Sequence, residues 1–128
     1  MRLLPDTHLL LWAAFDPGKV PKKAEMLMNE LSNELFFSAA SIWEVAIKTA
    51  RGLAVFQVNA ARLRTGLLGN GYSEIPVTGV HAVAVAGLPM LHKDPFDRLL
   101  VAQAKVEGLV LLTSDKILSG YPGAILHI

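Results

Sequence analysis

The sequence predicts a three-layer α/β/α domain in which helices cover both faces of a central parallel β-sheet. Short apolar segments alternate with helical segments, and each apolar segment is hydrophobic at consecutive positions rather than at every second one. Strands that are buried on both faces have this pattern, and they form parallel sheets between two layers of helices. The length of 128 residues suits one domain, so we expect a single unit over residues 1–128.

The composition excludes several other classes of protein. With 52% hydrophobic and 18% charged residues, the chain has ample apolar material for a core and is not intrinsically disordered. The longest uninterrupted apolar run covers residues 9–15, whereas a membrane-spanning helix needs roughly 20 residues. Pro5 and Asp6 interrupt the stretch that would have to form a signal peptide. The chain has no cysteine, which excludes disulfides and thiolate zinc sites and fits a cytoplasmic protein.

The first half of the chain predicts two strands and three helices. These are a strand over 2–6, helices over 9–15 and 21–31, a strand over 35–37 and a helix over 42–50. The second helix has apolar residues at i, i+3, i+4 and i+7, the last of them Leu31, which predicts one buried face. Arg51 and Gly52 supply a basic last turn and a glycine cap to the third helix. Pro5 removes one backbone donor from a strand that we expect inside the sheet.

The second half of the chain predicts three more helices and three more strands. These are a helix over 59–68, a strand over 73–77, helices over Gly79–Ala86 and Pro95–Glu107, and strands over 109–112 and 124–128. The long helix and the strand after it are the clearest unit, because Asp94 and Pro95 begin the helix and Gly108 ends it.

Five of the 11 acidic residues fall where a predicted strand ends or a predicted helix begins. They are Asp6, Glu44, Asp94, Asp97 and Asp115. Ligands of parallel α/β sheets bind beyond the carboxyl ends of the strands, so all five could face one cleft. Crowded carboxylates raise one another's pKa, and such a cluster persists at neutral pH when a cation compensates it. Oxygen ligands without cysteine favour Mg²⁺ or Mn²⁺, which suits phosphodiester hydrolysis by a metal-activated water.

Each of these acids also has a structural explanation. Asp94 followed by Pro95 is a favourable helix N-cap and first turn. Ser41 and Glu44 have the spacing of a capping box, and Glu44 with Lys48 is an i, i+4 ion pair. The remaining three acids could serve in turns or interact with a helix dipole. The joint pattern, more than any single acid, therefore predicts a site.

Four segments carry a resemblance to a known family. They are Asp-Thr-His at 6–8, Ser-Ala-Ala-Ser-Ile-Trp-Glu at 38–44, His-Lys-Asp-Pro-Phe-Asp-Arg-Leu-Leu at 92–100 and Leu-Thr-Ser-Asp at 112–115. With these segments the chain resembles the PIN-domain ribonucleases, and within them the VapC toxins of type II toxin–antitoxin systems. The third segment, with an Asp before Pro-Phe-Asp-Arg, is the most specific. Pro5 departs from the family, whose members usually have an apolar strand residue there.

The resemblance implies a metal-dependent endoribonuclease that leaves 5′-phosphate and 3′-hydroxyl ends. The catalytic residues that it implies, which are also the ligands of Mg²⁺ or Mn²⁺, are Asp6, Glu44, Asp97 and Asp115. The residues expected to support them are Thr7, Asp94, Thr113 and Ser114. The basic residues expected to bind RNA phosphates are Lys48, Arg51, Lys93, Arg98 and Lys116.

The other side chains that could carry chemistry receive structural interpretations. The four histidines lack metal-ligand spacing and are expected to be mainly structural, with His92 the best placed near the cleft. Trp12 and Trp43 lie in apolar helical segments, so we expect both in the core and not as platforms for RNA bases.

The resemblance also implies partners. It predicts a homodimer and a VapB-like antitoxin whose arm blocks the cleft. Because the net charge is +1, we expect contact with DNA to come through the antitoxin, and we expect no contact with membranes. The alternative is a non-catalytic α/β module that binds phosphate or a partner, acts through an antitoxin complex and keeps its acids as helix caps.

Overall fold

A computed structural model of the chain describes residues 1–53 and 57–128. Its strands are β1 (Arg2–Pro5), β2 (Glu34–Ser38), β3 (Ser73–Ile75), β4 (Val110–Thr113) and β5 (Ile125–His127). Its α-helices are α1 (Thr7–Phe15), α2 (Lys22–Asn29), α3 (Ala39–Ala50), α4 (Ala60–Gly69), α5 (Gly79–Ala86) and α6 (Pro95–Glu107). Short 3₁₀ turns follow α1 and β4, at Pro17–Lys19 and Lys116–Gly120.

The five strands form one parallel sheet in the order β3-β2-β1-β4-β5. The first strand of the chain, β1, is the central strand of the sheet; β2 and β3 lie on one side of it, and β4 and β5 lie on the other. All carboxyl ends therefore lie at the same edge of the sheet. The predicted three-layer α/β/α class with a parallel sheet is confirmed.

Pro5 fits the central strand because of the direction in which its nitrogen points. The next residue, Asp6, donates its N–H to the Leu112 carbonyl of β4 at 2.9 Å. Successive N–H groups of a strand point to opposite neighbours, so the Pro5 nitrogen faces β2. The β1–β2 pairing ends earlier, at Leu3 and Leu35, whereas pairing with β4 continues to Pro5. The missing donor thus falls beyond the last residue pair of the β1–β2 register, and no hydrogen bond to β4 is lost.

The core has one cluster on each side of the sheet and a third beside α2. On one side, Leu4 of β1 and Leu111 of β4 pack against α5 and α6. On the other side, Phe37 packs between α1, α3 and α4. Leu112, the neighbour of Leu111, belongs to the cluster that contacts α2. Consecutive strand residues are thus buried on opposite faces, which explains why the strands are uniformly apolar.

Several element boundaries differ from the predicted ones. α2 ends at Asn29, and Leu31 is 98% exposed, so the helical pattern overestimated this helix by two residues. β3 ends at Ile75, and Val77 lies outside it and is exposed. α3 begins at Ala39 instead of residue 42, since the last residue of β2 also caps the helix. The helices of the described ranges include none that is long and apolar enough to cross a membrane.

Candidate metal centre

The carboxyl ends of β1 and β4 bring two acidic residues together. Asp6 directly follows β1, and Asp115 lies two residues beyond β4. Extending the β1–β4 register by one residue sets Asp6 beside Thr113, whose hydroxyl donates to Asp6 Oδ2 at 2.6 Å. The same hydroxyl accepts the Asp115 N–H at 3.0 Å, so Thr113 holds both acids. Ser114 contributes its backbone carbonyl to a contact with His127 Nε2 at 3.2 Å.

Both acids use one carboxylate oxygen to cap the helical turn that follows. Asp6 Oδ1 accepts the Leu9 N–H of α1 at 3.0 Å, and Asp115 Oδ1 accepts the Ile117 N–H at 2.9 Å. Burial raises the pKa of Asp6, and the hydrogen bonds from Thr113 and Leu9 partly offset that rise. The Oδ1 atoms of Asp6 and Asp115 thus have the structural role expected of turn residues. Their Oδ2 atoms instead contact Thr113 and His92.

Glu44 enters the cluster from α3. Its side chain is 2% exposed, and Lys48, one turn later, pairs with its Oε2. Glu44 Oε1 has no hydrogen-bond partner within the part of the chain that the structure describes. A buried carboxylate oxygen without a partner is costly, so this atom marks a place where the site is incomplete.

The capping-box interpretation of Ser41 and Glu44 is wrong. Because α3 begins three residues earlier than predicted, its cap is Ser38, which accepts the Ala40 N–H at 3.0 Å. Ser41 instead lies inside the helix and accepts a hydrogen bond from the Thr7 hydroxyl at 2.9 Å. Thr7 therefore ties α1 to α3, and Glu44 is left without a capping role.

The start of α6 contributes Asp94 and Asp97. Asp94 caps the helix by accepting two backbone N–H groups of the first turn, at 2.8 and 3.4 Å, which confirms its structural explanation. Burial and the charges of three neighbouring carboxylates raise the pKa of Asp97 to about 7. Those neighbours are Asp94, Glu44 and Asp6, and the nearby His92 acts in the opposite direction. The acids are thus close enough to repel one another, as their positions in the sequence predicted.

His92 lies between two of these acids. Its Nε2 is 2.9 Å from Asp115 Oδ2 and 3.5 Å from Asp97 Oδ2. Among the described residues, these three side chains form a group whose ligand atoms all lie within 4.8 Å of one another. Sequence reasoning placed His92 nearest the cleft of the four histidines but assigned it no contact with the acids; the available signal was its position two residues before the Asp94 cap.

The cluster fits a divalent cation of the Mg²⁺ type. Its acids offer carboxylate oxygens, which are the hard ligands that Mg²⁺ and Mn²⁺ prefer. Positive charge would satisfy the unpartnered Glu44 Oε1 and would offset the burial and the repulsion that together raise the pKa of Asp97 to about 7. The residues that could hold the ion are Asp6, Glu44, Asp97 and Asp115.

Four of the five basic residues expected to bind RNA could reach solvent or the cluster. Arg51, Lys93 and Lys116 are exposed. Lys48 is half-buried and already contacts two acids, since its Nζ pairs with Glu44 and lies 3.9 Å from Asp94 Oδ2. The exposed three are therefore better placed to meet a phosphate than Lys48 is.

Arg98 lies elsewhere. Its side chain is 8% exposed and donates to the carbonyls of Pro89 at 2.9 Å and Val85 at 3.2 Å. It also donates to the Tyr121 hydroxyl at 3.1 Å. Carbonyls at the end of α5 attract a cation through the helix dipole. The expectation that Arg98 contacts RNA does not fit this buried position.

Sequence reasoning missed an aromatic pair beside the acids, of which Trp43 is exposed and Phe96 is partly buried. Trp43 is 58% exposed, so its predicted core position is wrong, whereas Trp12 is half-buried and packs against the core as expected. The Trp43 ring contacts Phe96 edge-on, with ring centroids 5.2 Å apart. Trp43 directly precedes Glu44, and Phe96 directly precedes Asp97. The two rings therefore extend from the same helical turns that carry two of the acids.

Fold and site together define a class: a parallel α/β domain whose sheet edge carries acidic side chains suited to a divalent metal. The family model of the PIN domain matches residues 3–123. The chain belongs to the PIN domain family. PIN domains are generally nucleases, and the acidic cluster described above agrees with that class.

Solved structures with this fold include toxin–antitoxin complexes. The Rickettsia felis VapBC2 complex bound to a promoter DNA fragment matches with a TM-score of 0.72 and 19% identity, covering 99% of this chain and 98% of that one. DNA-bound VapBC from Salmonella typhimurium matches with a TM-score of 0.63 and 16% identity, covering 99% of this chain and 98% of that one. VapBC-1 from nontypeable Haemophilus influenzae matches with a TM-score of 0.58 and 20% identity, covering 90% of this chain and 87% of that one. No curated protein matched the sequence.

Proposed function

We propose that the chain is a VapC-type toxin, a single PIN domain over residues 1–128 that hydrolyses RNA internally with Mg²⁺ or Mn²⁺. The observation that carries the proposal is the partly buried cluster of carboxylates at the carboxyl edge of the sheet, in which the acids outnumber the basic groups that contact them. Its Asp97 has a pKa raised to about 7, and its Glu44 has an oxygen without a partner in the described ranges. Membership of the PIN family supplies the class of chemistry.

The acids would act as the ligands of the ion. Asp6, Glu44, Asp97 and Asp115 would bind it, and the ion would lower the pKa of water and neutralise charge on the phosphate. Thr113 keeps the Asp6 and Asp115 carboxylates in register through its two hydrogen bonds. Products with 5′-phosphate and 3′-hydroxyl ends follow if the water attacks phosphorus and the 3′ oxygen leaves with a proton.

The surroundings of the cluster suit a single-stranded nucleic acid. Exposed Arg51, Lys93 and Lys116 could hold phosphates on either side of the acids. Trp43 offers an exposed ring face next to them, and bases of single strands stack on such rings. We therefore propose RNA as the substrate, with Trp43 contacting a base near the cleaved bond.

Partners are proposed from the neighbours in structure and from the surface. The similar solved structures are complexes of toxin and antitoxin, two of them bound to DNA, which supports a VapB-like antitoxin that supplies the DNA contact. Exposed apolar side chains on α5 and the loop after it support a homodimer. They are Val80, Val83, Met90 and Leu91. A toxin of this kind acts on cytoplasmic RNA, so we propose the cytoplasm as its location.

The proposal is tested by a cleavage assay on single-stranded RNA and DNA of mixed sequence. We expect RNA cleavage with Mg²⁺ or Mn²⁺ and none with EDTA, and ligation-based sequencing should recover 5′-phosphate ends. Asp97→Asn should slow cleavage by roughly 100-fold or more, which corresponds to a few kcal/mol of lost stabilisation. The matched control is Asp16→Asn, which neutralises an exposed acid paired with Lys19. A folded Asp97→Asn protein that cleaves RNA as fast as wild type would refute the proposal.

The alternative is a non-catalytic module that acts through an antitoxin complex. One observation favours it: three of the acids, Asp6, Asp94 and Asp115, cap helical turns and so have structural work without any metal. Thermal melting in millimolar Mg²⁺ or Mn²⁺ separates the two functions. A metal site predicts a higher Tm with either ion, because binding to the folded state stabilises it. An unchanged Tm together with absent cleavage would favour the module.

A further inference from the structure

The His92 ring occupies a position from which it could be taken for a metal ligand. Its Nε2 is 2.9 Å from Asp115 Oδ2 and 3.5 Å from Asp97 Oδ2. Imidazole is a common ligand of transition metals, and a site of one histidine and two carboxylates would favour Zn²⁺, Co²⁺ or Ni²⁺ over Mg²⁺. Whether His92 binds the ion or holds its ligands therefore decides which metal the site selects.

The other ring nitrogen settles which atom carries the proton. His92 Nδ1 lies 3.0 Å from the backbone nitrogen of Asp94, and that amide can only donate. Nδ1 must therefore accept with its lone pair, which leaves the ring proton on Nε2. Nε2 is then the donor to Asp115, and it has no lone pair to offer a cation. Ligation through Nε2 would move the proton to Nδ1, where it would oppose the Asp94 N–H.

Buried side chains fix the backbone that carries this ring. The His92 N–H donates to the Tyr121 hydroxyl at 2.8 Å, and the same hydroxyl accepts from Arg98 at 3.1 Å. Arg98 also donates to the carbonyl of Val85, near the end of α5, and to that of Pro89, in the loop between α5 and α6. Tyr121 and Arg98 are 4% and 8% exposed. The backbone is thus anchored at His92 and on its N-terminal side, and the ring itself is held by its contacts with Asp94 and Asp115.

We infer that His92 is a positioning residue that donates from Nε2 to the Asp115 carboxylate and does not bind the metal. It orients Asp115, one of the proposed ligands, and leaves an oxygen-only ligand set, which favours Mg²⁺ and Mn²⁺. The inference rests on the proposed function for the identity of the ion. The hydrogen-bond geometry of the ring itself does not depend on that function.

The first test is a long-range ¹H–¹⁵N correlation spectrum of the full chain labelled with ¹⁵N-histidine. The His92 signals are assigned by their loss in His92→Gln. We expect the neutral form with the proton on Nε2, both without metal and in saturating Mg²⁺. A proton on Nδ1 in the metal-loaded protein would overturn the inference. Because the proton is located in wild-type protein, this measurement does not depend on the metal affinity of any variant.

The second test compares metal affinities of His92→Gln and His92→Ala by calorimetry with Mn²⁺ and Zn²⁺. The Gln amide N–H can replace the Nε2 donor, so this variant should keep Mn²⁺ affinity close to wild type. His92→Ala removes the donor and should lose on the order of tenfold, as expected for a residue that orients a ligand. His127→Gln, a histidine that contacts the Ser114 carbonyl, is the matched control and should be unaffected.

The outcomes separate the inference from the proposed function. If His92 were a ligand, both variants would lose Zn²⁺ affinity more strongly than Mn²⁺ affinity, and Gln would not rescue binding. If both variants bound Mn²⁺ like wild type, His92 would have no positioning role. If wild-type protein bound no Mn²⁺ at all, the proposed function would fail, and the proton on Nε2 in the metal-free spectrum would still test the geometry.

Discussion

Neutralising Asp97 should stabilise the metal-free protein even though it removes a proposed metal ligand. Burial and three neighbouring carboxylates raise the pKa of Asp97 to about 7 from its usual value of 3.8. A raised pKa means that the folded state holds the proton more tightly than the unfolded state does. Ionising Asp97 therefore destabilises the fold, and Asp97→Asn removes that penalty.

The size of the effect follows from the pKa difference. A shift of about 3 units corresponds to about 4 kcal/mol once the group is ionised in both states. The favourable charge of His92 is already part of this net shift. We expect Asp97→Asn to raise the free energy of unfolding by about 4 kcal/mol at about pH 8. The penalty in wild type grows by about 1.4 kcal/mol per pH unit from about pH 4 to about pH 7 and then levels off.

The assay is urea unfolding in EDTA, repeated from acidic to alkaline pH. The difference in the free energy of unfolding between Asp97→Asn and wild type should reach its maximum above about pH 7. It should shrink as the pH falls toward the usual Asp pKa of 3.8. Asp16→Asn neutralises an exposed carboxylate 3.4 Å from Lys19, and its effect should stay below about 1 kcal/mol. In Mn²⁺ we expect wild type to be more stable than Asp97→Asn, because wild type gains metal-binding energy that the variant has lost.

Two results would refute this reasoning. If Asp97→Asn were less stable than wild type in EDTA at alkaline pH, the burial of the Asp97 charge and its repulsion by the neighbouring acids would not be the dominant cost at this site. If the difference did not change with pH, the Asp97 pKa would not be raised. Either result would remove the argument that the cluster requires a cation.

Three further perturbations test the site. Lys48→Met leaves the buried Glu44 carboxylate without its ion-pair partner and should cost about 3 kcal/mol in EDTA and less in Mn²⁺, as measured by urea unfolding. Thr113→Val removes the hydroxyl that joins Asp6 to the Asp115 N–H. We expect this change to lower the free energy of unfolding by about 1–3 kcal/mol and to weaken Mn²⁺ binding. Unchanged Mn²⁺ affinity would argue against the positioning role of this hydroxyl. Trp43→Ala should weaken RNA binding in EDTA by about 1–3 kcal/mol, as measured by fluorescence anisotropy. The Tm should stay nearly unchanged because the ring is 58% exposed. An RNA affinity equal to that of wild type would exclude base stacking on Trp43.

The fold could be predicted because its strands are apolar at consecutive positions. Leu111 and Leu112 pack into clusters on opposite faces of the sheet, and only a sheet covered on both sides demands this. The long helix α6 was predicted with its exact ends, since Asp94 with Pro95 and the left-handed Gly108, at φ 68°, are local signals. The end of α2 was missed because Leu31 continues the helical pattern while packing against nothing that would hold it.

The acids could be predicted as a group because they follow strands or begin helices. The environment of each could not. Glu44 was assigned a capping box that does not form, and Trp43 was assigned to the core although it is exposed. Periodicity shows which residues share a face of a helix, but it does not show whether another element covers that face. Arg98 was assigned to RNA for the same reason, since its acceptors at the end of α5 are distant in sequence.

The sequence by itself determined the order of strands and helices, the parallel sheet and the edge at which the acidic residues gather, because these follow from local pattern and from the geometry of parallel strands. Tertiary structure decided which atoms meet there. Thr113 joins Asp6 across 107 positions of the chain, and His92 reaches Asp115 across 23. Such contacts depend on how whole elements pack, and no local signal encodes them. The oxygen of Glu44 that has no partner among the described residues, and that a cation would satisfy, results from the packing of α3 against the sheet.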